Sequence, residues 1–160
     1  MLPADRFEIE GAEHKLAQIS QLSSEIIIRN KLLIYARVTD LQFIKFEFVC
    51  SYCNDCMLSL TKCLSGCEDP RPALKIQIMC SVQEKEGWPE ATMCLENQDA
   101  CRVFGINAAS IDIFKEYFFT HGVFCYRTMG EVTTEYLEVV EFFKSANCHR
   151  KWLFECSPFY

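Results

Sequence analysis

Five cysteines fall within eighteen residues of this chain, in a pattern that suits a metal ion. They are Cys50, Cys53, Cys56, Cys63 and Cys67. Two closely spaced pairs on either side of a short polar segment are typical of structural zinc sites, in which four thiolates surround the ion as a tetrahedron. Turn-forming residues such as Asn54, Asp55 and Gly66 lie among them and indicate loops rather than core. The sequence therefore predicts a structural Zn²⁺ site.

The choice of four ligands among the five cysteines depends on spacing. Cys63 and Cys67 form the second pair, and Gly66 eases the turn between them. The first pair could be any two of the cysteines at 50, 53 and 56. The apolar alternation that precedes Cys50 places it on the apolar face of a strand. The predicted ligands are therefore Cys53, Cys56, Cys63 and Cys67, with Cys50 as the alternative.

The other cysteines fit a different explanation. The chain has eleven cysteines, an odd number, and residues 1–6 lack the charged start and apolar run of a secretory signal. Single cysteines within apolar segments are typical of small core residues. These are Cys80, Cys94, Cys101, Cys125 and Cys156. The pattern favours a reducing compartment, which is the cytosol or the nucleus.

Composition limits the class of protein. With 160 residues, 50% of them hydrophobic and 13% aromatic, the chain is long and apolar enough for one globular domain. Its apolar runs are too short to span a membrane. The net charge of −6 argues against an avid, autonomous nucleic-acid binder, because such proteins carry a basic surface.

Residues 1–30 are predicted to form a helical extension and residues 31–160 the main domain. In the extension, Leu16, Ile19 and Leu22 recur at helical spacing.

Beyond residue 31 the pattern is mainly that of strands. Two extended runs, 33–38 and 41–50, precede the cysteines, and Asp40 ends the first. After the cluster, alternating apolar residues over 74–82 predict a strand, and 91–96 returns as its hairpin partner. The later predicted elements are helices at 98–104, 110–122 and 133–146 and strands at 123–127 and 152–159.

The segments Leu74–Val82, Ala91–Glu96 and Gln98–Gly105 carry a resemblance to a known family. A strand that enters a cysteine hairpin, then a strand pair, then a short helix that ends in glycine resembles the C-terminal DNA-binding domain of the replication protein A large subunit. Similar domains occur in shieldin and in the large subunit of the telomeric CST complex. The resemblance covers about 33–106. It implies a mainly β chain with flanking helices, an OB-fold barrel with a short zinc ribbon at about 50–70.

The resemblance also implies a function. We expect a module of a genome-maintenance scaffold, in DNA repair, recombination or telomere protection, located in the nucleus, with the cytoplasm as the alternative. It would act mainly in protein–protein assembly, with weak binding of single-stranded DNA; the alternative is an autonomous single-stranded DNA-binding domain. Candidate nucleic-acid contacts are Arg37, Lys45, Lys75, Gln77, Lys85 and Trp88. Candidate partner contacts in the phenylalanine-rich C-terminal half are Phe142, Phe143 and Trp152.

Catalytic motifs are weak or absent. The three histidines share no motif, and the sequence has neither a glycine-rich phosphate loop nor a paired-carboxylate motif. A zinc site with four cysteine ligands has no open coordination position for a substrate. The chain is therefore predicted to be a non-enzyme without a small-molecule substrate or a membrane partner.

Overall fold

The computed structural model describes residues 6–9, 12–16, 18–21, 32–128, 137–145 and 150–156. The strands are β1 (Arg6–Ile9), β2 (Ala12–Leu16), β3 (Leu32–Cys50), β4 (Met57–Ser59), β5 (Lys62–Cys63), β6 (Pro72–Gln83), β7 (Glu90–Glu96), β8 (Phe124–Arg127) and β9 (Lys151–Cys156). The helices are α1 (Asn97–Phe104), α2 (Ala108–His121) and α3 (Leu137–Ser145), and Ile19–Gln21 forms a 3-10 turn. The chain is thus mainly β with a few helices, as the sequence predicts.

Seven of these strands form one sheet, in the order β1-β2-β3-β6-β7 with β8 and β9 both paired to β3. β9 pairs antiparallel with the first part of β3, from Leu32↔Cys156 to Arg37↔Lys151. β8 pairs antiparallel with the later part, from Phe43↔Arg127 to Phe46↔Phe124. β4 and β5 form a separate two-stranded sheet, which is the short hairpin expected between the cysteine pairs.

The chain divides into two compact units. The first unit comprises residues 1–40, 80–93 and 148–160, and the second comprises 41–79 and 94–147. The sequence predicted that Asp40 ends a strand, but β3 continues through Asp40 to Cys50. An exposed strand position tolerates a carboxylate, and Asp40 is exposed. The break that the sequence suggests at Asp40 coincides instead with the boundary between the units.

Within the first unit, β3, β6 and β7 contribute buried apolar side chains, and hydrogen bonds of Thr39 join the three strands. The Thr39 hydroxyl lies 3.3 Å from the Ser81 carbonyl oxygen and 3.0 Å from Glu90 Oε1. The buried apolar side chains described in this unit are Ile19, Leu33, Ile34, Ala36, Val38, Cys80, Val82, Met93, Trp152 and Phe154.

The core of the second unit is built from phenylalanine rings. The ring of Phe46 in β3 stacks on those of Phe114 and Phe124, with centroids 4.9 and 5.0 Å apart. Phe114 also stacks on Phe143 at 5.5 Å, and all four side chains are at most 1% exposed. Each buried ring contributes about 1.5–3 kcal/mol by leaving water. These contacts connect β3 and β8 with α2 and α3.

Local signals set the ends of α1 and α2. Gly105 follows α1 with φ 65°, the left-handed conformation that favours glycine, which confirms the predicted stop. Asn97, the first residue of α1, uses its side-chain oxygen to accept a hydrogen bond from the Ile76 amide at 3.1 Å. At the start of α2, Asn107 accepts from the Ser110 amide, and the Ser110 hydroxyl accepts from the Asn107 amide.

The predicted N-terminal helix is wrong over the residues that the structure describes. Ala12–Leu16 is strand β2, which pairs antiparallel with β1 and in parallel with β3. Ile19–Gln21 forms only one 3-10 turn, in which the Ile19 amide donates to Glu84 Oε1 at 2.8 Å. Three apolar residues at helical spacing are weak support, because a short isolated helix is marginal and strand pairing satisfies the backbone. Residues 22–30 lie outside the described part.

The predicted strands at 74–82 and 91–96 are confirmed by β6 and β7. The predicted helix at 133–146 is confirmed over Leu137–Ser145, while 133–136 and 146 lie outside the described residues. Residues 157–159 of the last predicted strand also lie outside them. None of the helices described here is both long and apolar enough to cross a membrane.

We expect Phe46→Ala to lower the free energy of unfolding by about 3–5 kcal/mol, because it removes a ring that stacks on two others in the core. Phe43→Ala is the matched control: Phe43 lies in the same strand but is only half-buried. Urea unfolding of both variants measures the difference. Equal losses in the two variants would contradict the core assignment.

Candidate metal centre

Four cysteine sulfurs converge where β3 and β5 end. Cys50 is the last residue of β3, and Cys63 is the last residue of β5. Cys53 and Cys67 lie in the turns that follow these strands. The four Sγ atoms all lie within 4.8 Å of one another. Cys50 and Cys63 are buried, whereas Cys53 and Cys67 are half-buried.

The first turn is closed by backbone hydrogen bonds. The Cys50 amide donates to the Asp55 carbonyl oxygen at 2.8 Å, and the Asn54 amide donates to the Cys50 carbonyl oxygen at 2.9 Å. Asn54 has φ 62°, a conformation that asparagine tolerates better than most residues. The turn brings the Tyr52 amide to 3.4 Å from Cys50 Sγ.

The second turn repeats this arrangement. The Gly66 amide donates to the Cys63 carbonyl oxygen at 3.2 Å, and the Cys67 amide lies 3.3 Å from Cys63 Sγ. Gly66 has φ 77°, which explains the glycine at this position. In both turns, therefore, a backbone N–H is directed at a sulfur, which stabilises a thiolate.

The hairpin of β4 and β5 joins the two turns. Met57 lies opposite Cys63 in its register, and Met57 is 2% exposed. Cys50, Met57 and Cys63 form a small buried cluster, against which Cys53, Cys67 and Phe119 of α2 pack. The inner side of the hairpin therefore consists of sulfur-containing side chains with one aromatic ring as cover.

The sulfur positions fit a tetrahedral metal site. A Zn–S bond of about 2.3 Å places the sulfurs of a regular tetrahedron about 3.8 Å apart. Cys53 Sγ and Cys63 Sγ lie 3.8 Å apart, far beyond the ~2.0 Å of a disulfide. No two Sγ atoms of the group are more than 4.8 Å apart, so small side-chain shifts would bring all four to the distances of a regular tetrahedron.

The pKa values of two cysteines of the cluster shift in opposite directions. The Cys67 amide, which donates to Cys63 Sγ, lowers the pKa of Cys63 to about 7. Hydrogen bonds of the Cys67 thiol with the sulfurs of Cys53 and then Cys63 raise the pKa of Cys67 to about 12. Near neutral pH the Cys63 thiol is therefore partly ionised, whereas the Cys67 thiol keeps its proton. A divalent cation supplies the charge that all four thiolates need, so metal binding must release protons.

Cys50, and not Cys56, completes the group with Cys53, Cys63 and Cys67. Cys56 is exposed, and its thiol lies 3.5 Å from the carbonyl oxygen of its neighbour Met57. Because side chains alternate along a strand, the inward position of Met57 turns Cys56 outward. The sequence correctly predicted that Cys50 lies on the buried face of β3. The prediction that Cys56 is a ligand instead of Cys50 was wrong, because this buried face also contributes to the sulfur cluster.

Three of the candidate nucleic-acid contacts belong to the second unit. Lys45 in β3 is exposed. The ammonium of Lys75 lies 3.9 Å from the Glu47 carboxylate, which offsets part of its charge, and its side chain is 64% exposed. Gln77 is half-buried, and its amide nitrogen lies 3.4 Å from Cys94 Sγ. Lys45 and Lys75 are therefore accessible, whereas Gln77 is engaged within the sheet.

The other three candidates belong to the first unit. Trp88 is 41% exposed in the turn between β6 and β7, and the Lys85 ammonium lies 5.5 Å from its ring centroid. The turn is fixed by the Gln83 side chain, which donates to the Trp88 carbonyl oxygen at 2.8 Å. Arg37 is half-buried in β3 and lies opposite Lys151 of β9.

The candidate partner contacts pack into the units instead of forming a surface. Phe143 is fully buried and Trp152 is 9% exposed. Phe142 is half-buried, and its ring centroid lies 5.5 Å from that of Phe114. The sequence missed a different set of large apolar side chains, each more than half exposed, in the cysteine ribbon. They are Tyr52, Leu58, Leu60 and Leu64.

A scan against protein-family models and a search of curated proteins found no match for this chain. The functional argument therefore depends on the geometry of the sulfur cluster and on the surfaces around it.

Cys50→Ser and Cys56→Ser distinguish the two possible ligand sets. We expect the purified Cys56→Ser protein to retain about one zinc ion per chain and the wild-type melting temperature. Cys50→Ser should lose the ion and melt at a lower temperature, because it removes a ligand. Metal analysis and thermal unfolding, each with and without a chelator, measure both effects.

Chelation provides the internal control, since it should bring the wild type and Cys56→Ser to the melting temperature of Cys50→Ser. Retention of zinc by Cys50→Ser together with its loss from Cys56→Ser would show that Cys56 is the ligand.

Proposed function

We propose that this chain is a zinc-stabilised interaction module in which the metal has a structural role. The observation that carries this proposal is the convergence of four cysteine sulfurs within 4.8 Å. Soft thiolate ligands in a tetrahedral arrangement suit zinc. Four protein ligands fill the coordination sphere, so the ion has no position left for a water or a substrate. The site therefore stabilises the ribbon instead of catalysing a reaction.

The hairpin needs such support because it is very small. β4 has three residues and β5 has two. A two-stranded hairpin is marginal in water even when its strands are longer. Its own buried apolar contribution is Met57, with Phe119 of α2 as a neighbour. Bonds between one ion and Cys50, Cys53, Cys63 and Cys67 would connect both turns to the end of β3.

We place this module in a genome-maintenance scaffold of DNA repair, recombination or telomere protection, in the nucleus, where it acts mainly in protein–protein assembly. The order of elements supports this proposal. β3 leads into the cysteine ribbon, β6 and β7 follow, and α1 ends at Gly105. This is the order expected of an OB-fold barrel with an inserted zinc ribbon. The net charge of −6 and the exposed apolar side chains of the ribbon favour protein partners over nucleic acid.

Single-stranded DNA binding is the second candidate function, and one feature of the second unit favours it. The guanidinium of Arg127 lies 5.3 Å from the ring centroid of the half-buried Phe43. Lys45 is exposed two residues further along β3. An aromatic ring next to cationic side chains is the usual combination for stacking a base and binding its phosphate. The negative charge of the Glu47 carboxylate beside Lys75 disfavours the binding of a phosphate there.

Proximity labelling in cells tests the assembly role. The tagged wild-type chain should label proteins of DNA repair, recombination or telomeres. Cys63→Ser should lose this labelling, because it removes a metal ligand, whereas the matched variant Cys56→Ser should keep it. The same set of labelled proteins from all three chains would contradict a zinc-dependent assembly role, and so would a set without genome-maintenance proteins.

Fluorescence anisotropy with labelled oligothymidylate tests the second function. We expect binding no tighter than about micromolar at low salt, and its loss at physiological salt. Lys45→Glu should weaken the residual binding, and Lys62→Glu in the ribbon serves as a charge-matched control. Nanomolar binding that depends on Phe43 and Lys45 would instead make DNA binding the main function.

A further inference from the structure

The cysteine ribbon presents a concentration of exposed leucines. Leu58, Leu60 and Leu64 are 62%, 57% and 65% exposed. Isolated exposed leucines are ordinary, but large apolar side chains close together on a small surface indicate an interaction site. The leucines do not belong to the buried cluster of the ribbon, which consists of Met57 and cysteines with Phe119. The fold therefore does not explain them.

Burial distinguishes an inner and an outer side of the hairpin. Met57 and Cys63 lie opposite each other and are both buried. Their neighbours Leu58 and Leu64 are exposed and lie on the outward side, with Leu58 at the point where the register shifts between Met57 and Ser59. The Leu64 amide donates to the Cys56 carbonyl oxygen at 3.0 Å, which keeps Leu64 within the hairpin.

We call the outward side chains of Leu58, Leu60, Lys62 and Leu64 the ribbon face. Leu60 lies in the loop between β4 and β5, and Lys62 begins β5 next to the inward Cys63. All four side chains are exposed. The ribbon face is therefore an apolar surface with one cation.

Charge indicates what this surface accepts. Lys62 is the single charged residue of the segment 56–64, although the whole chain has a net charge of −6. The nearest preceding acidic residue, Asp55, accepts a hydrogen bond from the Ser65 hydroxyl. An apolar surface with one ammonium group is complementary to a segment whose apolar side chains flank a carboxylate.

The size of the ribbon face indicates a short segment. A standard interface between two folded proteins uses about 20–30 residues on each side. Three leucines and one lysine are far fewer, but they suffice as anchors for a short peptide. Metal-held turns on both sides of the hairpin would fix its conformation in advance, so binding would lose little conformational entropy.

The geometry points to the ribbon face as the docking site for a short acidic and apolar peptide segment of a protein partner. This inference rests on the proposed assembly role and specifies its surface. The leucines bind the apolar side chains of the segment, and the Lys62 ammonium pairs with its carboxylate.

Selection from a displayed library of short random peptides, on the zinc-loaded full chain, tests this inference. Enriched peptides should combine large apolar residues with Asp or Glu. The double variant Leu58→Ser/Leu64→Ser should bind them at least about tenfold more weakly, because it removes two apolar anchors. Ile113→Ser is the matched control, since Ile113 is 57% exposed on α2 and lies outside the ribbon.

The charge component has its own test. Lys62→Glu should lower the affinity for the enriched peptides. Replacing the acidic residue of a peptide by lysine should restore its binding to the Lys62→Glu variant but not to the wild type. The inference is overturned if no peptide is enriched, if enriched peptides are basic, or if they bind the double variant as tightly as the wild type. A dimer in sedimentation equilibrium that Leu58→Ser/Leu64→Ser dissociates would make a second copy the occupant and would also overturn it.

Zinc content and melting temperature, measured on every variant, separate this inference from the proposed function. A ribbon-face variant that keeps its zinc and its genome-maintenance labelling in cells, yet shows no loss of peptide binding, overturns the inference and leaves the proposed function intact. Absence of zinc from the wild-type chain overturns the structural role of the metal itself.

Discussion

The convergence of four cysteine sulfurs within 4.8 Å is the constraint on which the ribbon depends. Four thiolates so close together would repel one another. Hydrogen bonds with the sulfurs of Cys53 and Cys63 raise the pKa of Cys67 to about 12, while the Cys67 amide lowers the pKa of Cys63 to about 7. With only five residues in β4 and β5 together, apolar burial cannot offset this repulsion. A divalent cation reverses the sign of the electrostatic interaction, so ion binding and folding of the ribbon become one equilibrium.

The core of the second unit positions this site. Along β3, Phe46, Phe48 and Cys50 occupy alternate positions and are all fully buried. The strand that carries the stacked rings therefore also delivers the first sulfur. Phe119 of α2 continues the connection, because its ring centroid lies 6.1 Å from that of Phe48 and it packs against the sulfur cluster. Loosening of α2 would thus be transmitted to the ribbon through aromatic contacts.

Features that depend on neighbours in the sequence were predictable, and those that depend on long-range pairing were not. The alternation in Pro72–Gln83 and the stop at Gly105 follow from local pattern and backbone preference. The choice of Cys50 over Cys56 required the hairpin register, in which Met57 lies opposite Cys63. β2 forms by pairing with β1 and β3, which helical spacing does not reveal. The burial of Phe143 and Trp152 likewise depends on which faces of the helices and strands pack together, and the sequence pattern does not show this.

The two sides of the hairpin differ in burial and have opposite roles. Met57 and Cys63 are buried on the inner side, whereas their neighbours Leu58 and Leu64 are more than half exposed on the outer side. Polar residues in the outward positions would have satisfied the fold equally well, because solvent covers that side. Leucines in these positions leave apolar surface exposed to water. A partner that covers this surface would gain about 25 cal/mol of binding free energy for each Å² buried. A rigid inner side and an apolar outer side together form a preorganised binding surface, which is what an assembly module needs and a catalytic metal site does not.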